Sequence, residues 1–598
     1  MILKELYDYY DILATSGDTG ISPYGFEMAL ASYEALLSKE GVLVGLKAFM
    51  TEDGKPAKMS FMTPIKMKKK GIAASPVLDN FEYVFGVGGK NGDKKTEKIK
   101  FKAAKELHLS MFGQAKSEEA IAIARFFEQW DIDKAWENEH ILSVYNEKGN
   151  AFNGNVVFRL SGKLVSGKVQ YFHDTEEIKE IWLRENEAKN NLKNKDVRQC
   201  SITGEFLPIA QLHPQFSGVK GANPTGASLV CFNKDADMSY NLEQSFNAAV
   251  SQKASFKYST ALRYMLAGNK QRMFVGDDTT VFWASSSNPT FADAFYLMFN
   301  PPDENDKKED KNERKVDRTT EEWIKAVLSD SQKGVYQELP GADQDVSFCV
   351  LGLSPNAGRI SVRYFYRNSF RYFCGKIKQH YDDMRIVGKL PYIKVDNLLY
   401  ATISSKSKDK SFNPLLGGAV VRAILTGEMY PRILLNQVIL RSKTEAMVTQ
   451  ARAAAIKGFL VRKSRMIKKG ENIFMSLNEE STNTAYVLGR TFAILEKIQK
   501  DALGDINSTI KDKYFASACS NPSLVFPNLL KLAQHHIAKL DGTYLNILLG
   551  KCLSLIEGDV FPSTLNMENQ GRFILGYYQQ NQNLYTKREQ NNSKEENI

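Results

Sequence analysis

Apolar residues recur at helical spacing from the first residues. Ile2, Leu3, Leu6, Tyr9, Tyr10 and Leu13 share one broad face, which predicts a helix from Met1 to about Leu13. The string GDTGISPYGF stops it with Gly17, Gly20 and Pro23. Strand-like runs follow, such as GVLVGLKAF from Gly41, and helical spacing returns over Glu118 to Trp130. NVVFRL from Asn155 and GKVQYF from Gly167 read as paired strands, and the charged stretch Arg184 to Arg198 as helical or flexible. The block from Cys200 to Phe299 is dense in Gly, Asn, Ser and aromatic residues, with turns set by GVKGANPTGAS, Gly218 to Ser228. In PPDENDKKEDKNERKVDR, Pro301 to Arg318, Val316 is the one apolar residue after the two prolines, so the segment reads as a solvated linker or mobile loop. VSFCVLGLS from Val346 is strand-like. From about Pro414 to Gln579 the period is helical. Within it, AYVLGRTFAILEKIQ (Ala485 to Gln499) directs Val487, Leu488, Phe492, Leu495 and Ile498 toward a core. No clean internal repeat is visible. The predicted fold is α+β. A large mixed N-terminal region spans 1–345 and holds the charged loop at 301–318, a middle region spans 346–474, and a C-terminal helical bundle spans 475–598.

A chain of 598 residues with 43% hydrophobic and 25% charged residues can bury a core, which excludes global disorder and the collagen-like and disulfide-scaffold classes. The six cysteines lie singly, without a CxxC or CxH pair, so the sequence offers no zinc signature and fits a reducing cytoplasm. Near the N-terminus Glu5, Asp8 and Asp11 outnumber Lys4, and no basic segment leads into an apolar run, so no signal peptide is expected. No apolar run reaches the length of a membrane span.

Charge changes the picture more. The whole chain carries +10, yet Met50 to Lys105 alone holds 13 Lys and 6 acids, a net of +7. Arg432 to Lys469 holds 10 Lys and Arg against Glu445, a net of +9. Localised cationic segments attract phosphate backbones, although either one can also be a merely solvated face. Within RISVRYFYRNSFRYF, Arg359, Arg363, Arg367 and Arg371 recur every four residues, a spacing that puts them on one face of a strand or a helix. Arginines interleaved with Tyr and Phe suit phosphate contact and base stacking, and equally an interface with another protein.

The motifs of catalysis are weaker. GVGGK, Gly86 to Lys90, lacks the first glycine and the hydroxyl residue of a phosphate loop, with Val84 and Asn91 in those places, and reads as a turn. GDD, Gly276 to Asp278, fits paired carboxylates for two metals, but a turn entering the apolar strand Val281-Phe282-Trp283 explains it equally well. His535 and His536 are adjacent on a helix and point about 100° apart, His173-Asp174 lacks partner ligands, and the histidines read as structural.

Several strings resemble one family when taken in order: CSITGEFLPIAQLHP (Cys200 to Pro214), GVKGANPTGASLVCFN (Gly218 to Asn233) and SYNLEQSFNAAVSQKASFKYSTAL (Ser239 to Leu262). GDDTTVFWA, LGLSPNAGRISVR, RAILTGEMYP from Arg422, YVLGRTFAILEKIQ from Tyr486 and NQGRFILGYYQQ from Asn569 follow. Together with ILKELYDYY and PYGF near the start they cover essentially the whole chain. The chain resembles the large subunit of the type I-C CRISPR effector (Cascade) complex, a protein of the Csd family. That resemblance implies a non-enzymatic subunit without cofactor or metal, at the guide 5′ end of an RNA-guided surveillance complex. Its partners would be the guide-bound backbone subunits, the guide 5′-end subunit, small helical subunits and a separate helicase-nuclease. It would read the short motif beside the target in double-stranded DNA, help open the duplex and hold the displaced strand, while base pairing reads the long sequence.

The expected DNA contacts are Lys66, Lys68, Lys69 and Lys70, then Asn80, Lys220 and Asn223, with the four arginines at a nucleic-acid or subunit interface. Competing classes are a metal-dependent nuclease or palm-type enzyme using Asp277 and Asp278, and a protein-binding scaffold. The resemblance also implies a separate small subunit made by internal initiation. Lys469-Gly470-Glu471 can be encoded as a ribosome-binding sequence at a workable distance before Met475, the expected internal start.

Overall fold

The computed structural model describes all residues except 17–20, 66–71, 89–92, 146–151, 153, 166, 194–195, 239, 302–317, 330–338, 340, 409–412, 468–469, 505–506, 541, 557–559 and 596–598. Lys66, Lys68, Lys69 and Lys70, Lys90, Lys469 and nearly all of the charged 301–318 segment lie outside the described residues. The fold is α+β, in two compact units. The first comprises Met1–Pro214 with Val230–Tyr264, and the second Gln215–Leu229 with Met265–Ile598.

In the first unit the N-terminal helix is α1 (Ile2–Thr15), which buries Leu6, Tyr9, Tyr10 and Leu13 as its spacing predicts. β1 (Phe26–Ala31), β2 (Tyr33–Leu37), β3 (Leu43–Ala48) and β4 (Met59–Pro64) follow, and β1 pairs with β4 antiparallel. β5 (Leu78–Asn80), β6 (Asn155–Val165) and β7 (Lys168–Tyr171) complete a sheet of order β3-β2-β6-β5, with β7 on β6. β2 and β6 run parallel, Tyr33 opposite Val156, and the predicted pair is β6 with β7, antiparallel. The helices are α2 (Phe81–Val84), α3 (Lys94–Phe112), α4 (Glu118–Gln129), α5 (Glu139–Val144) and α6 (Glu176–Lys193). Glu118 and Glu119 favour the start of α4 through the helix dipole, and its face of Ala120, Ile123, Ala124 and Phe127 is buried. His108 stacks on Phe127 at 4.0 Å, gives its Nδ1 proton to the Ala104 carbonyl at 2.8 Å and accepts from the Val77 amide at Nε2. Burial pushes its pKa down to about 4, so this histidine is a neutral structural group. The hairpin β8 (Val197–Gln199) with β9 (Phe206–Pro208) and α7 (Gln252–Ala267), up to Tyr264, complete the unit.

The second unit is built on the sheet β10 (Gln215–Phe216), β11 (Ala227–Ser228), β12 (Arg272–Val275), β13 (Asp278–Ala284), β14 (Ser347–Asn356) and β15 (Arg359–Ser369), in the order β10-β11-β15-β14-β13-β12. Every residue of β13 is buried, and its second half, Val281 to Ala284, is the continuous apolar run of a strand covered on both faces. α8 (Thr290–Phe299) lays Phe295 against Phe282 and Phe348, with ring centroids 4.8 and 4.9 Å apart, and α9 (Arg318–Ser329) packs beside it.

The last strand ends at Ser369, and α10 (Phe370–Met384) starts at once, capped by the Ser369 hydroxyl on the Tyr372 amide. The helical region therefore begins near Phe370, not Pro414. Phe370, Phe373, Cys374, Ile377, Tyr381 and Met384 carry the helical period, which the arginines and aromatics just upstream obscure. After it come α11 (Val395–Tyr400), α12 (Pro414–Thr426), α13 (Arg432–Thr444) and α14 (Gln450–Met466). The tail holds α15 (Thr484–Leu503), α16 (Ile510–Ser520), α17 (Pro522–Ile537), α18 (Tyr544–Leu553) and α19 (Met567–Glu595). The predicted core face Val487, Leu488, Phe492, Leu495 and Ile498 is buried in α15.

α15 and α19 touch backbone to backbone. A Cβ on Gly489 would overlap the Phe573 carbonyl, and one on Gly576 the Tyr486 carbonyl, so both strings of the sequence need their glycine for the same crossing. Gly571 of α19 faces Leu435 and Ile439 of α13 and Ile456 of α14, and one hydrophobic core runs through all these helices. Gly576→Ala is expected to lower stability by about 1–3 kcal/mol, since the helices must part to admit the methyl group. Chemical denaturation with unchanged cooperativity is the measurement, and a midpoint equal to that of the parent chain would count against the backbone contact.

Candidate nucleic-acid interface

The two cationic segments differ in the structure. In Met50–Lys105, Lys55, Lys58, Lys94 and Lys95 are exposed and carry no ion pair among the described residues. Lys98 pairs with Asp133 at 2.5 Å and Lys100 with Glu82 at 2.5 Å. In Arg432–Lys469 much of the charge is turned inward. Arg452 is 3% exposed and pairs with Glu445 at 2.8 Å. Lys457, 3% exposed, donates to the Asp383 carbonyl at 2.9 Å, and burial lowers its pKa to about 8 against the pull of Asp383. Arg462 is 1% exposed, binds Asp383 at 2.9 Å and the Ala423 carbonyl at 2.6 Å, and lies 3.8 Å from the centre of the Tyr430 ring. The expectation of a phosphate-attracting patch over Arg432–Lys469 is thus corrected for these residues. They neutralise two carboxylates, Asp383 and Glu445, and bond backbone carbonyls, and charge counting along a sequence does not distinguish these uses from a free surface.

The remaining candidates take up local tasks. Asn80 caps α2, accepting from the Glu82 and Tyr83 amides at 3.1 and 3.3 Å. Asn223 holds its own turn by accepting from the amide and hydroxyl of Thr225. Lys220 joins two strings that lie far apart in sequence: its amide donates to the Thr279 hydroxyl at 2.9 Å and its Nζ to the Gly276 carbonyl at 2.7 Å. The GVKG loop is therefore seated on the GDD turn.

That turn is built around Gly276, whose φ of +60° suits glycine, and it leads Asp278 into buried β13. Asp278 is 1% exposed. It faces Arg363, 3.7 Å away, which also donates to the Ser354 hydroxyl at 3.1 Å. Burial raises the Asp278 pKa to about 6, with Arg363 opposing the shift. Among the described residues no group of three or more His, Cys, Asp or Glu is placed to hold a metal ion.

The four arginines do not stay together. A register shift between Gly352 and Leu353 leaves Arg363 without an opposite residue on β14 and breaks the two-residue alternation. Arg363 reaches Ser354 and Asp278, whereas Arg367 reaches Ser347 from the other face of the sheet, and Arg371 lies in the first turn of α10, where it binds Asp345 at 3.1 Å. Arg359 begins β15 opposite Asn356. The sequence shows the spacing but not the bulge. Met475 is 48% exposed in the segment between α14 and α15, where its carbonyl accepts from the Val387 amide at 3.2 Å.

The fold and its surface define a large α+β protein of two compact units with exposed lysines on the first and internally neutralised arginines in the second. Residues 6–585 match the profile of the CRISPR-associated protein family Cas_Csd1, and the chain belongs to that family. No match to a curated protein was found. Among the described residues no helix is long and apolar enough to cross a membrane.

Asp278 makes the fold pH-sensitive in a defined direction. Its carboxyl holds its proton more tightly folded (about 6) than at the ordinary value of 3.8, so its contribution is fully favourable below 3.8 and is lost as pH rises through 6. Asp278→Asn is therefore expected to flatten the fall in melting temperature between about pH 4 and pH 6. A pH series of melting curves on both proteins checks this, and an identical fall in the two would contradict the buried, proton-holding carboxyl.

Proposed function

We propose that this chain is the non-catalytic large subunit of a type I-C RNA-guided surveillance complex. It recognises the short motif beside the target in double-stranded DNA, assists opening of the duplex, holds the displaced strand and helps recruit a helicase-nuclease. Membership of a CRISPR-associated family over residues 6–585 carries this reading. Lys55, Lys58, Lys94 and Lys95, exposed and without an ion pair among the described residues, support it, because unneutralised surface cations are what a phosphate backbone binds. The guide-bound backbone subunits, the guide 5′-end subunit and small helical subunits are the partners within the complex. Asp277 and Asp278 serve the turn and the strand. Incubation of the purified chain with DNA and RNA in magnesium or manganese is expected to leave both intact, and cleavage lost on Asp277→Asn or Asp278→Asn would overturn the non-catalytic assignment.

Lys66, Lys68, Lys69 and Lys70 are the proposed contacts beside the motif. Charge reversal at Lys68, Lys69 and Lys70 is expected to weaken capture of target duplex and to reduce the slope of log affinity against log salt by roughly 0.9 for each phosphate that is no longer neutralised. Capture unchanged across a salt series would exclude these lysines from the DNA-binding surface.

The internal start at Met475 belongs to the same proposal. A product from Met475 would carry α15 to α19 and expose the face that α13 and α14 cover at Gly571, a face that another protein surface would have to cover. Silent recoding of Lys469 to Glu471 is expected to abolish a short C-terminal species when the gene is expressed alone. The same amount of that species after recoding would rule out this start.

A further inference from the structure

A cavity of about 360 Å³ lies between the loop at 402–408 and helices α12 and α13. Ile433, Gln437 and Arg441 of α13 line it, four residues apart and so on one stripe of the helix, which runs from an aliphatic group through an amide to a guanidinium. Ser404 and Ser407 line the loop side. The Nε of Arg441 is buried without a hydrogen-bond partner, and Arg441 forms no ion pair among the described residues. Glu445, one turn further along, is already occupied: Arg452 binds it at 2.8 Å, and the amide and hydroxyl of Ser405 donate to it at 3.2 Å each. The same contacts anchor the loop, and Lys406 and Lys408 are exposed along it.

A buried guanidinium N–H without an acceptor is costly, and an oxyanion that accepts from it removes that cost. The surrounding groups are hydroxyl and amide donors with two lysines nearby, so the cavity selects an anion over a cation. Its volume falls within the usual range of ~300–1,000 Å³ for small-molecule sites, larger than an inorganic ion needs. The order of groups along α13 matches the parts of a nucleotide: phosphate at Arg441, base edge at Gln437, apolar sugar or base face at Ile433.

We propose that this cavity takes one nucleotide of an unpaired nucleic-acid strand, with Arg441 and the loop hydroxyls on the phosphate and Gln437 and Ile433 on the nucleoside. The assignment rests on the strand-holding part of the proposed function and gives it a location. Full-length protein is titrated with a fluorescein-labelled oligo(dT) of about 20 nucleotides over a range of salt, with anisotropy as the readout. Arg441→Gln is expected to weaken binding about tenfold at low salt, as loss of a charged hydrogen bond does. The slope of log affinity against log salt should fall by about 0.7, the value for one phosphate on a single strand. Arg441→Lys should restore the slope. The melting temperature of Arg441→Gln should stay close to that of the parent chain, because Nε has no partner to lose. Gln437→Leu, which keeps the charge, should weaken binding without changing the slope, and it serves as the test if Arg441→Gln does not fold. No binding of the oligonucleotide by the parent chain, or equal affinity and slope in folded Arg441→Gln, overturns the proposal. Thymidine monophosphate is titrated in parallel: if its binding depends on Arg441 while that of the oligonucleotide does not, the cavity takes free nucleotides and the strand assignment is wrong. Duplex capture by the Lys68, Lys69 and Lys70 variant reports separately on motif recognition, so either reading can fail without the other.

Discussion

The second unit depends on one buried carboxylate. Asp383 is 2% exposed and receives Arg462 and Arg465 on its two oxygens, while Lys457 donates to its backbone carbonyl. Arg462 extends from there to the Ala423 carbonyl near the end of α12, to the Glu428 carbonyl and across the Tyr430 ring. Tyr430 in turn is hydrogen-bonded through its hydroxyl to His380 at 2.6 Å, and burial beside Arg462 pushes that histidine down to about 3 and keeps it neutral. Three helices, α10, α12 and α14, are thereby fixed to one another by groups that cannot be removed singly. An ion pair of this kind adds little net stability over an apolar replacement, but loss of one partner leaves a charge buried alone, at a cost of about 3–5 kcal/mol. The network therefore specifies how the helices meet more than it stabilises them.

This constraint also sorts the positive charge. Arg452, Lys457 and Arg462 of α14 are directed inward to Glu445 and Asp383, whereas Arg465 reaches Asp383 from an exposed position and the half-buried Lys463 reaches Glu568 on α19. Arg441, on the preceding helix, forms no ion pair among the described residues, and Glu445, one turn further along, is held by Arg452. Some lysines of the first unit are claimed by carboxylates, as Lys98 is by Asp133 and Lys100 by Glu82, but Lys55, Lys58, Lys94 and Lys95 stay on the surface without an ion pair among the described residues. A single net charge of +10 thus conceals two populations, one structural and one available to an outside partner.

The tail follows a different rule. α15 and α19 approach so closely at Gly489 and Gly576 that polar side chains near the crossing must find partners inside it. Arg490 donates to the Gln580 side chain and to the Asn478 and Glu479 carbonyls, and the Tyr577 hydroxyl donates to Glu496 at 2.6 Å. These bonds lie within the segment from Met475 onward, whereas the apolar contacts of Gly571 tie it to the helices before it. The tail thus keeps part of its polar network within itself, while Lys443 on Gln570, Lys463 on Glu568 and the Tyr578 hydroxyl on the Val387 carbonyl join the apolar contacts in tying it to the chain before it.

Local pattern alone determined the class of the fold, the N-terminal helix, the β6–β7 pair, the apolar face of α15 and the family to which the chain belongs. Each of these is written in residues near one another or in strings read in order. The beginning of the helical region was less legible, because arginines and aromatics at the end of β15 run into α10 without a break in composition. What only the tertiary structure decided is which charges and motifs are free to act. Arg359, Arg363, Arg367 and Arg371 keep a perfect spacing, yet a one-residue bulge and a helix start disperse them. Lys220 and the GDD turn, more than 50 residues apart, come together through two hydrogen bonds. Arg462 and Arg441 look alike in sequence, but one binds Asp383 and the other lines a cavity with no ion pair among the described residues. Burial and partner competition are sums over residues distant along the chain, and no local pattern contains them.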